Sequence, residues 1–282
     1  MTRISCPVDG QNADALFELF GEGGFCLSTW RDAETGECAV QIFTPDPAEA
    51  PRAAEAISSA GKAIGLDLHP QIDVFPDEDW SLAYRKWFHV DEISPRLAVR
   101  PAWEDYTPAP GQTVVSLDPG LAFGTGRHET TRSCLKFIDA LAAEGVRRSV
   151  LDMGTGSGIL AIAARKLGFA PVRAFDFDPV AVDVARENAA ANGADVEFYE
   201  DSIERPQPPA DIVLANILGP VLIEHAASVC ASVARTQGSA LVLSGILTSI
   251  YPEVAAAYGA HGFRQESEIT DGEWTSGLFR WA

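Results

Sequence analysis

The residues best suited to chemistry in this sequence begin with a glycine-rich segment, VLDMGTGSGILAIAA, at Val150–Ala164. An apolar, strand-like run leads into Gly154, Gly156 and Gly158, and a helical pattern begins near Ile159. Glycine is needed where a backbone turns at positive φ and where a side chain would block a ligand lying on the backbone. The segment therefore predicts a ligand-binding turn, although its G-x-G-x-G spacing differs from the G-x-G-x-x-G of dinucleotide-binding folds.

A carboxylate at the end of the next predicted strand is the natural partner of that turn. Asp176 lies 22 residues after Gly154, where a carboxylate can accept hydrogen bonds from ribose hydroxyl groups. Asp178 and Pro179 follow it and are typical of a helix start, so we interpret Asp178 as an N-cap. The turn and Asp176 together predict a nucleoside-cofactor site, and a purely structural turn is the alternative.

A polar residue ends a further predicted strand of the same region. Asn216 stands between apolar neighbours in LANIL, Leu214–Leu218. Ligands of open α/β sheets bind beyond the carboxyl ends of the strands, so Asn216 should face the same crevice as the glycines. An Asx turn that caps the next helix is the structural alternative. Together, the glycine turn, the carboxylate that is placed to bind ribose and the asparagine at a strand end indicate a site for S-adenosylmethionine.

A fourth segment, LDPGLAFGTGRHETTRSCLKF at Leu117–Phe137, combines a glycine-containing loop with a helix start. Thr130 and Thr131 lie in the first turn of that helix, where backbone N–H groups lack helical partners. The segment lacks the Lys-Ser/Thr ending of a phosphate-binding P-loop. His128 has the chemistry of a general base, but a single loop histidine is more often a packing or capping residue. Both interpretations of His128 are open at this point.

The elements that must position these residues follow a regular alternation from about Ser94 onward. Strand-like runs are followed by helical stretches, the strands being SVLDMG, VRAFDFD, EFYED, DIVLAN and ALVLSG. The segments PVLIEHAASVCASV and YPEVAAAYGAHG are each predicted as helical. This alternation predicts a parallel sheet with helices on both faces, and with the motifs it predicts an α/β, Rossmann-like class I S-adenosylmethionine-dependent methyltransferase domain.

The first 78 residues predict a separate, small α+β domain. Strand-like and helix-like runs alternate in the order β-α-β-β-α-β, namely RISCPV, ADALFELF, FCLSTW, CAVQIF, AAEAISSAGKAIG and HPQIDVFP. That order is typical of a ferredoxin-like module. In DWSLAYRKWFHV the aromatic residues share one side of a helix, opposite an arginine and a lysine. We therefore predict a linker helix over 79–95 and a catalytic domain over 96–282.

Composition excludes several classes of protein. Hydrophobic residues make up 46% of the chain and charged residues 22%, which is unlike a disordered chain. The longest apolar stretch, Ala240–Leu247, is far shorter than the roughly 20 residues needed to cross a bilayer. The start MTRISCPVDG lacks the apolar run of a signal peptide, so we expect a soluble cytoplasmic protein. The five cysteines show no C-x-x-C or C-x-x-H spacing, and no metal site is predicted.

Charge indicates the kind of partner. The chain has 40 acidic and 21 basic residues, a net charge of −19, and such a surface repels phosphate backbones, so no direct nucleic-acid partner is predicted. Residues 1–79 hold 15 acids and 4 bases and are about two and a half times as acidic per residue as residues 104–282. We also expect a monomer.

The motifs resemble those of a known family. DPGLAFGTGRHETT, LDMGTGSGILAIAA, FDFDP and LANIL occur in this order in the PrmA family, bacterial methyltransferases that modify ribosomal protein L11 of the large subunit. The resemblance extends through DEDWSLAYRKWF and RLAVRPAW to the C-terminal EWTSGLFR, and covers nearly the whole chain from Asp77 onward. FHVD at 88–91 departs from the more usual F-x-P of the family, a difference that concerns the linker geometry.

The resemblance implies S-adenosylmethionine as cofactor and trimethylation of lysine side chains and of the N-terminal amine of ribosomal protein L11. It also implies that the small domain recognises this substrate and swings on the linker helix to present different amines. Asn216 is the predicted catalytic residue, because its side-chain oxygen can orient the acceptor amine. The predicted cofactor contacts are Phe123, Thr131, Gly154, Gly156, Asp176 and Asn216.

Three other interpretations remain. Another basic protein or a small-molecule amine is the alternative substrate. An enzyme acting on nucleic-acid amines usually carries N-P-P-[YF] where this chain has NILG, which lacks the aromatic that stacks on a flipped base. A non-catalytic binding protein with the same fold would be excluded by cofactor turnover with any basic acceptor.

Overall fold

The computed structural model describes residues 2–10, 12–13, 16, 25, 27–31, 38–44, 46–74, 89–117, 128–145 and 148–281. The chain divides into two compact units, Met1–Tyr84 and Arg85–Ala282. Within the described residues, no helix is both long enough and apolar enough to cross a membrane.

The first unit contains a four-stranded antiparallel sheet and a helix that packs on it. Its strands follow the order β2-β3-β1-β4, with every pair antiparallel. This is the strand order that a ferredoxin-like unit requires, whereas the predicted first helix, ADALFELF, lies mostly outside the described residues. The elements are β1 (Thr2–Val8), β2 (Leu27–Arg31), β3 (Cys38–Thr44), a 3-10 turn (Pro47–Glu49), α1 (Ala50–Ala63) and β4 (Gln71–Val74).

Periodicity explains the core of this unit. Strand β1 buries alternate residues, among them Ile4 and Cys6, because successive side chains of a strand point to opposite faces. Helix α1 buries residues three or four positions apart, including Ala53 and Ile57, as expected for an amphipathic helix. The two apolar faces meet in one cluster.

The predicted linker helix over 79–95 is described only at its end, because residues 75–88 lie outside the described residues. There the prediction is wrong, since Asp91–Ser94 form a strand, β5. β5 pairs antiparallel with β6 (Leu97–Pro101), and β6 pairs in parallel with β7 (Thr113–Leu117). The Ser94 hydroxyl accepts the backbone N–H of Leu97 at 3.1 Å in the turn between β5 and β6. Sheet pairing thus replaces helical hydrogen bonds, and the strand buries Ile93.

A seven-stranded sheet forms the centre of the second unit, in the order β10-β9-β8-β11-β12-β14-β13. The first five strands in this order are parallel, as predicted, whereas β14 and β13 run antiparallel at one edge. The side chains of β13 are mostly exposed, so it lacks the apolar alternation that identifies a strand. The strands are β8 (Val150–Met153), β9 (Val172–Asp176), β10 (Glu197–Glu200), β11 (Ile212–Asn216), β12 (Ala240–Leu247), β13 (Phe263–Asp271) and β14 (Trp274–Trp281).

Helices cover both faces of this sheet and form two apolar clusters with it, one involving α2 to α4 and the other α5 to α7. The prediction of one helix over PVLIEHAASVCASV is wrong, because the backbone leaves helical geometry at His225 (φ −104°, ψ 18°). The helices are α2 (Glu129–Ala143), α3 (Ile159–Lys166), α4 (Pro179–Ala191), α5 (Gly219–Glu224), α6 (Ala226–Ala231) and α7 (Tyr251–Ala260).

The strand order reverses between β8 and β11. The chain proceeds from β8 to β9 and β10 on one side and continues with β11 and β12 on the other. In open α/β sheets the ligand crevice lies at such a reversal, outside the carboxyl ends of the strands. The fold therefore places the ends of β8 and β11, and the residues just after them, at the expected binding site.

Candidate functional site

A cleft of about 880 Å³ opens at the carboxyl ends of the parallel strands. Its volume lies within the range of small-molecule sites, roughly 300 to 1,000 Å³. Gly154, Asp176 and Asn216 all line it. Residues far apart in sequence, His128 and Trp274, complete the wall beside Asn216. The structure thus brings three of the predicted site residues to one cavity.

The glycine turn forms one wall with its backbone. Gly154, Gly156 and Gly158 have φ values of 67°, 55° and 83°, a region that residues with a Cβ rarely adopt. A Cβ on Gly154 would lie 3.1 Å from the side chain of Ile217, and one on Gly158 would lie 3.0 Å from Ala185 Cβ. Glycine is therefore required here both for the turn and for close packing.

Asp176 presents a fixed carboxylate to the cleft. Its Oδ2 accepts the backbone N–H of Gly156 at 2.9 Å, and its Oδ1 accepts that of Asp178 at 3.1 Å. The residue is only 7% exposed. Each carboxylate oxygen can accept more than one hydrogen bond, so both keep capacity for ligand hydroxyl groups. Asp178 itself accepts the N–H of Val180 at 2.9 Å, which is the N-cap interpretation made from the sequence.

Asn216 is the last residue of β11, and its side chain contacts Thr131. Its Nδ2 lies 3.4 Å from Thr131 Oγ1, and this contact leaves Oδ1 as an acceptor. Thr131 is 1% exposed, so it supports Asn216 rather than forming the surface of the cleft. Cofactor contact by Thr131 stays a prediction. Contact by Phe123 also stays a prediction, since that residue lies outside the described residues.

His128 caps helix α2. Its Nδ1 accepts the backbone N–H of Thr130 at 3.4 Å and lies 2.7 Å from Thr130 Oγ1. Its ring meets that of Trp274 edge to face, with the centroids 5.2 Å apart. Of the two interpretations of His128, the structure therefore supports capping and packing.

A glycine in β12 lets the chain after Asn216 approach the sheet. Gly245 has a φ of 79°, and a Cβ there would lie 2.7 Å from the carbonyl oxygen of Ile217. The Ile217 N–H donates to the Ser244 carbonyl at 3.0 Å. The pairing register of β12 with β14 shifts at this point. Gly245 is not among the residues predicted from the sequence, although a glycine inside a strand pattern is a signal for a bulge or a close backbone approach.

Two further cleft residues were missed at the Asp176 end. Phe177 directly follows Asp176 and is 79% exposed. Asp201 follows β10, and its backbone N–H donates to the Asp176 carbonyl at 3.1 Å. The backbone N–H of Ser202, with smaller contributions from Gln207 and Arg205, holds the pKa of Asp201 below its ordinary value. Both positions carried a detectable signal, because each follows a predicted strand at the edge that binds ligands.

A buried acid lies beneath the glycine turn. Asp152 is 1% exposed, and burial raises its pKa from 3.8 to about 7, while the nearby charge of Asp176 also raises it. Thr155 Oγ1 donates to Asp152 Oδ2 at 2.6 Å and opposes this shift. The protonation of Asp152 therefore changes near neutral pH, beneath the turn whose Gly154 lines the cleft.

Known proteins of one family match the chain over most of its length. The family model described as ribosomal protein L11 methyltransferase (PrmA) matches residues 34–280. The ribosomal protein L11 methyltransferase of Geobacter sulfurreducens is 43% identical over 211 residues, 75% of this chain and 69% of that protein. That of Geobacter metallireducens is 38% identical, covering 95% of this chain and 92% of that protein.

A solved structure agrees with these relatives. The crystal structure of a ribosomal protein L11 methylase from Lactobacillus delbrueckii subsp. bulgaricus is 32% identical, with a TM-score of 0.62, and the match covers 69% of this chain and 98% of that one. Family model, relatives and solved structure all agree with the resemblance seen in the motifs. The chain belongs to the PrmA family of ribosomal protein L11 methyltransferases.

Proposed function

We propose that this chain transfers methyl groups from S-adenosylmethionine to lysine side chains and the N-terminal amine of ribosomal protein L11. Membership of the family supports the substrate and the cofactor. The observation that carries the proposal is that Asp176 and Asn216 line one cleft, with the glycine turn between their strands. A nucleoside and an amine acceptor can therefore be bound side by side.

The residues of the cleft fit this cofactor. Asp176 keeps hydrogen-bonding capacity on both carboxylate oxygens, as two ribose hydroxyl groups require. Gly154 offers a backbone without a side chain to the cleft. Phe177, which is exposed, directly follows Asp176 and also lines the cleft. When bound, S-adenosylmethionine supplies a methyl group that its sulfonium already activates for transfer. The protein needs only to orient a neutral amine towards that methyl group.

Supplying a neutral amine is the costly part of the reaction. With an ordinary lysine pKa near 10.4, about one lysine in a thousand is neutral at pH 7.5, a cost of roughly 4 kcal/mol. Exclusion of water from the cleft lowers this cost, since burial disfavours the ammonium form. The Oδ1 of Asn216 can accept one N–H of the amine, because Nδ2 is directed to Thr131. An amide does this without the negative charge that would stabilise the unreactive ammonium.

We further propose that the N-terminal domain, residues 1–78, recognises the substrate. Residues 1–79 carry a net charge of −11, and ribosomal proteins that bind RNA are basic. Complementary charge raises association rates and affinity in a salt-dependent way. The alternative is that the acidity only keeps the protein soluble.

We also propose that the enzyme acts as a cytoplasmic monomer without direct contact to nucleic acid. The net charge of −19 opposes binding to phosphate backbones. Ribosomal proteins are made in the cytoplasm, where this substrate would be met.

The proposal is tested by incubating the enzyme with methyl-labelled S-adenosylmethionine and a total ribosomal protein extract. We expect label in the L11 band, and mass spectrometry should assign it to lysine residues and the N-terminus. Label in a different protein would favour the alternative of another basic substrate, and no label in any protein would contradict the proposal.

Recognition by the small domain is tested by salt. We expect the KM for ribosomal protein L11 to rise several-fold between 50 and 300 mM salt, because charges more than about 10 Å apart are screened at 0.1 M ionic strength. The kcat should change less. A KM that does not depend on salt would leave solubility as the explanation of the acidic domain.

A further inference from the structure

Trp274 occupies a position in the cleft that the proposed reaction does not yet use. It is the first residue of β14 and lines the cleft together with Asn216. Asn216 lies opposite Ser244 in the pairing of β11 with β12. Ser244 Oγ lies 2.6 Å from Ser276 Oγ of β14. Because residues two apart on a strand share a face, Trp274 lies on the same face of the sheet as Ser276.

The N-terminus of α2 lies over this row of side chains. Ser244 Oγ donates to the Thr130 carbonyl at 3.1 Å, while Thr131 contacts Asn216 and His128 contacts Trp274. Asn216 and Ser276 therefore stand at opposite ends of one row, two strand spacings apart, and Trp274 lies two residues further along β14, which places its Cα roughly 12 Å from that of Asn216. That separation accommodates a side-chain ammonium group with its methyl groups.

Trp274 is half-buried, lines the cleft and contacts the ring of His128. An edge-to-face pair uses the face of only one of its two rings, so the contact with His128 covers at most one face of Trp274. A cation over an indole face is attracted by the ring quadrupole, and quaternary ammonium groups are recognised in this way. This attraction needs no N–H group on the ligand.

Hydrogen bonds to Asn216 alone cannot bind the substrate amine in every methylation state. A neutral unmethylated amine can donate to Asn216 Oδ1, but each methyl group replaces an N–H, and the neutral dimethylated amine that accepts the third methyl group has none left. The second and third transfers therefore need an interaction that grows as N–H groups are lost. Contact with an aromatic face meets this requirement.

We propose that Trp274 is a specificity-determining residue whose ring face contacts the methyl groups of the partly methylated, neutral amine. As the nitrogen lone pair bonds to the transferred methyl group and the carbon–sulfur bond breaks, the ring face stabilises the positive charge that develops on the nitrogen, and so carries the reaction to trimethylation. This inference rests on the proposed function. Asn216 then serves the amine at the start of the series, and Trp274 serves the mono- and dimethylated amines in the second and third transfers.

The test compares Trp274→Leu and Trp274→Phe with Trp281→Leu as a matched control. Trp281 lies at the other end of β14, where it packs on Phe263 and Arg235. Each variant is incubated with ribosomal protein L11, and mass spectrometry measures the mono-, di- and trimethylated fractions at equal total methylation. We expect Trp274→Leu to lower the trimethylated fraction about fivefold, whereas Trp274→Phe and Trp281→Leu keep the wild-type distribution.

A binding measurement supplies a readout independent of turnover. Ligand-observed nuclear magnetic resonance compares the binding of trimethyllysine and of lysine to each protein. The wild type should prefer trimethyllysine, and Trp274→Leu should lose that preference. Wild-type methyl distributions and an unchanged preference in Trp274→Leu would overturn the inference. If Trp274→Leu fails to fold, the decision rests on Trp274→Phe, which should still bind trimethyllysine more tightly than lysine. Loss of that preference in Trp274→Phe would also overturn the inference. A wild-type enzyme that leaves L11 unmethylated would instead overturn the proposed function.

Discussion

The two ends of the cleft are built in different ways. At one end, Asp176 is held by backbone N–H groups of Gly156 and Asp178, which lie within 20 residues of it in the chain. At the other end, Asn216 is held by the hydroxyl group of Thr131, 85 residues away, through a longer contact of 3.4 Å. The carboxylate is fixed by backbone groups of two successive strand-turn-helix segments, and the amide is fixed by the packing of elements far apart in the chain.

This difference separates two tasks. Backbone hydrogen bonds with good geometry hold the carboxylate in one place, which suits tight binding of a constant nucleoside. The Asn216 end is assembled from α2, β11, β12 and β14, so small shifts of any of them move the group that orients the amine. We therefore expect changes at the first end to alter cofactor affinity and changes at the second end to alter turnover.

The largest effect should come from Asp176→Ala. This change removes the acceptor for two hydroxyl groups and leaves the N–H groups of Gly156 and Asp178 without their partner. The loss is about 2 to 3 kcal/mol, or roughly a hundredfold in the dissociation constant of S-adenosylmethionine. Calorimetric titration measures it, with Asp183→Ala, an exposed aspartate on α4, as the control. Equal affinities in the two variants would remove Asp176 from the site.

Asn216→Ala should affect turnover more than cofactor binding, the opposite of Asp176→Ala. We expect kcat to fall about 30-fold, equivalent to about 2 kcal/mol, because the amine loses the acceptor that orients it. The dissociation constant of S-adenosylmethionine should change much less. Asn216→Asp should also be slow, since a carboxylate favours the protonated ammonium. Near-normal turnover in both variants would show that the proposed role of Asn216 is wrong.

Gly245→Ala tests whether the second end depends on packing between strands. The new Cβ would press on the Ile217 carbonyl at 2.7 Å and displace the chain after Asn216, so we expect kcat to fall about tenfold, with a smaller change in cofactor affinity. Gly238→Ala is the control. It has a similar φ of 88°, but the nearest atom to its Cβ would be 3.7 Å away, on Arg148. If both variants lose activity equally, backbone strain and not displacement of Ile217 is the cause.

The smallest effect concerns the acid beneath the glycine turn. Asp152 has a folded pKa of about 7, above its ordinary 3.8, so its contribution to stability is complete below pH 3.8 and is lost as pH rises through about 7. Between pH 6 and pH 8 this loss is on the order of 1 kcal/mol. Asp152→Asn cannot ionise, and its stability relative to the wild type should improve by that amount over this range. Urea unfolding at the two pH values measures it, and a constant difference would contradict the assignment.

Short segments of the sequence determined the local geometry at the Asp176 end of the cleft. Gly154, Gly156 and Gly158 predict a turn because only glycine adopts those φ values at low cost. Asp176 and Asp178 follow a strand and open a helix, and their hydrogen-bond partners are backbone groups of that helix start and of the preceding glycine turn, 20 residues away. Chemistry that depends on neighbouring residues is encoded locally, so it can be predicted without knowing the fold. The acidic balance of residues 1–79 is likewise a property of the sequence alone.

Only the tertiary structure decided which residues come together at the Asn216 end of the cleft. Ser244 and Ser276 show no sequence pattern, and they meet because β14 inserts beside β12 in antiparallel pairing. Trp274 joins the cleft by the same pairing, and Gly245 matters because Ile217, which directly follows β11, lies against it. Strand order and register depend on packing across the whole sheet, between residues far apart in the chain. A sequence pattern specifies which face a side chain takes, whereas the neighbours on that face follow from the assembled sheet.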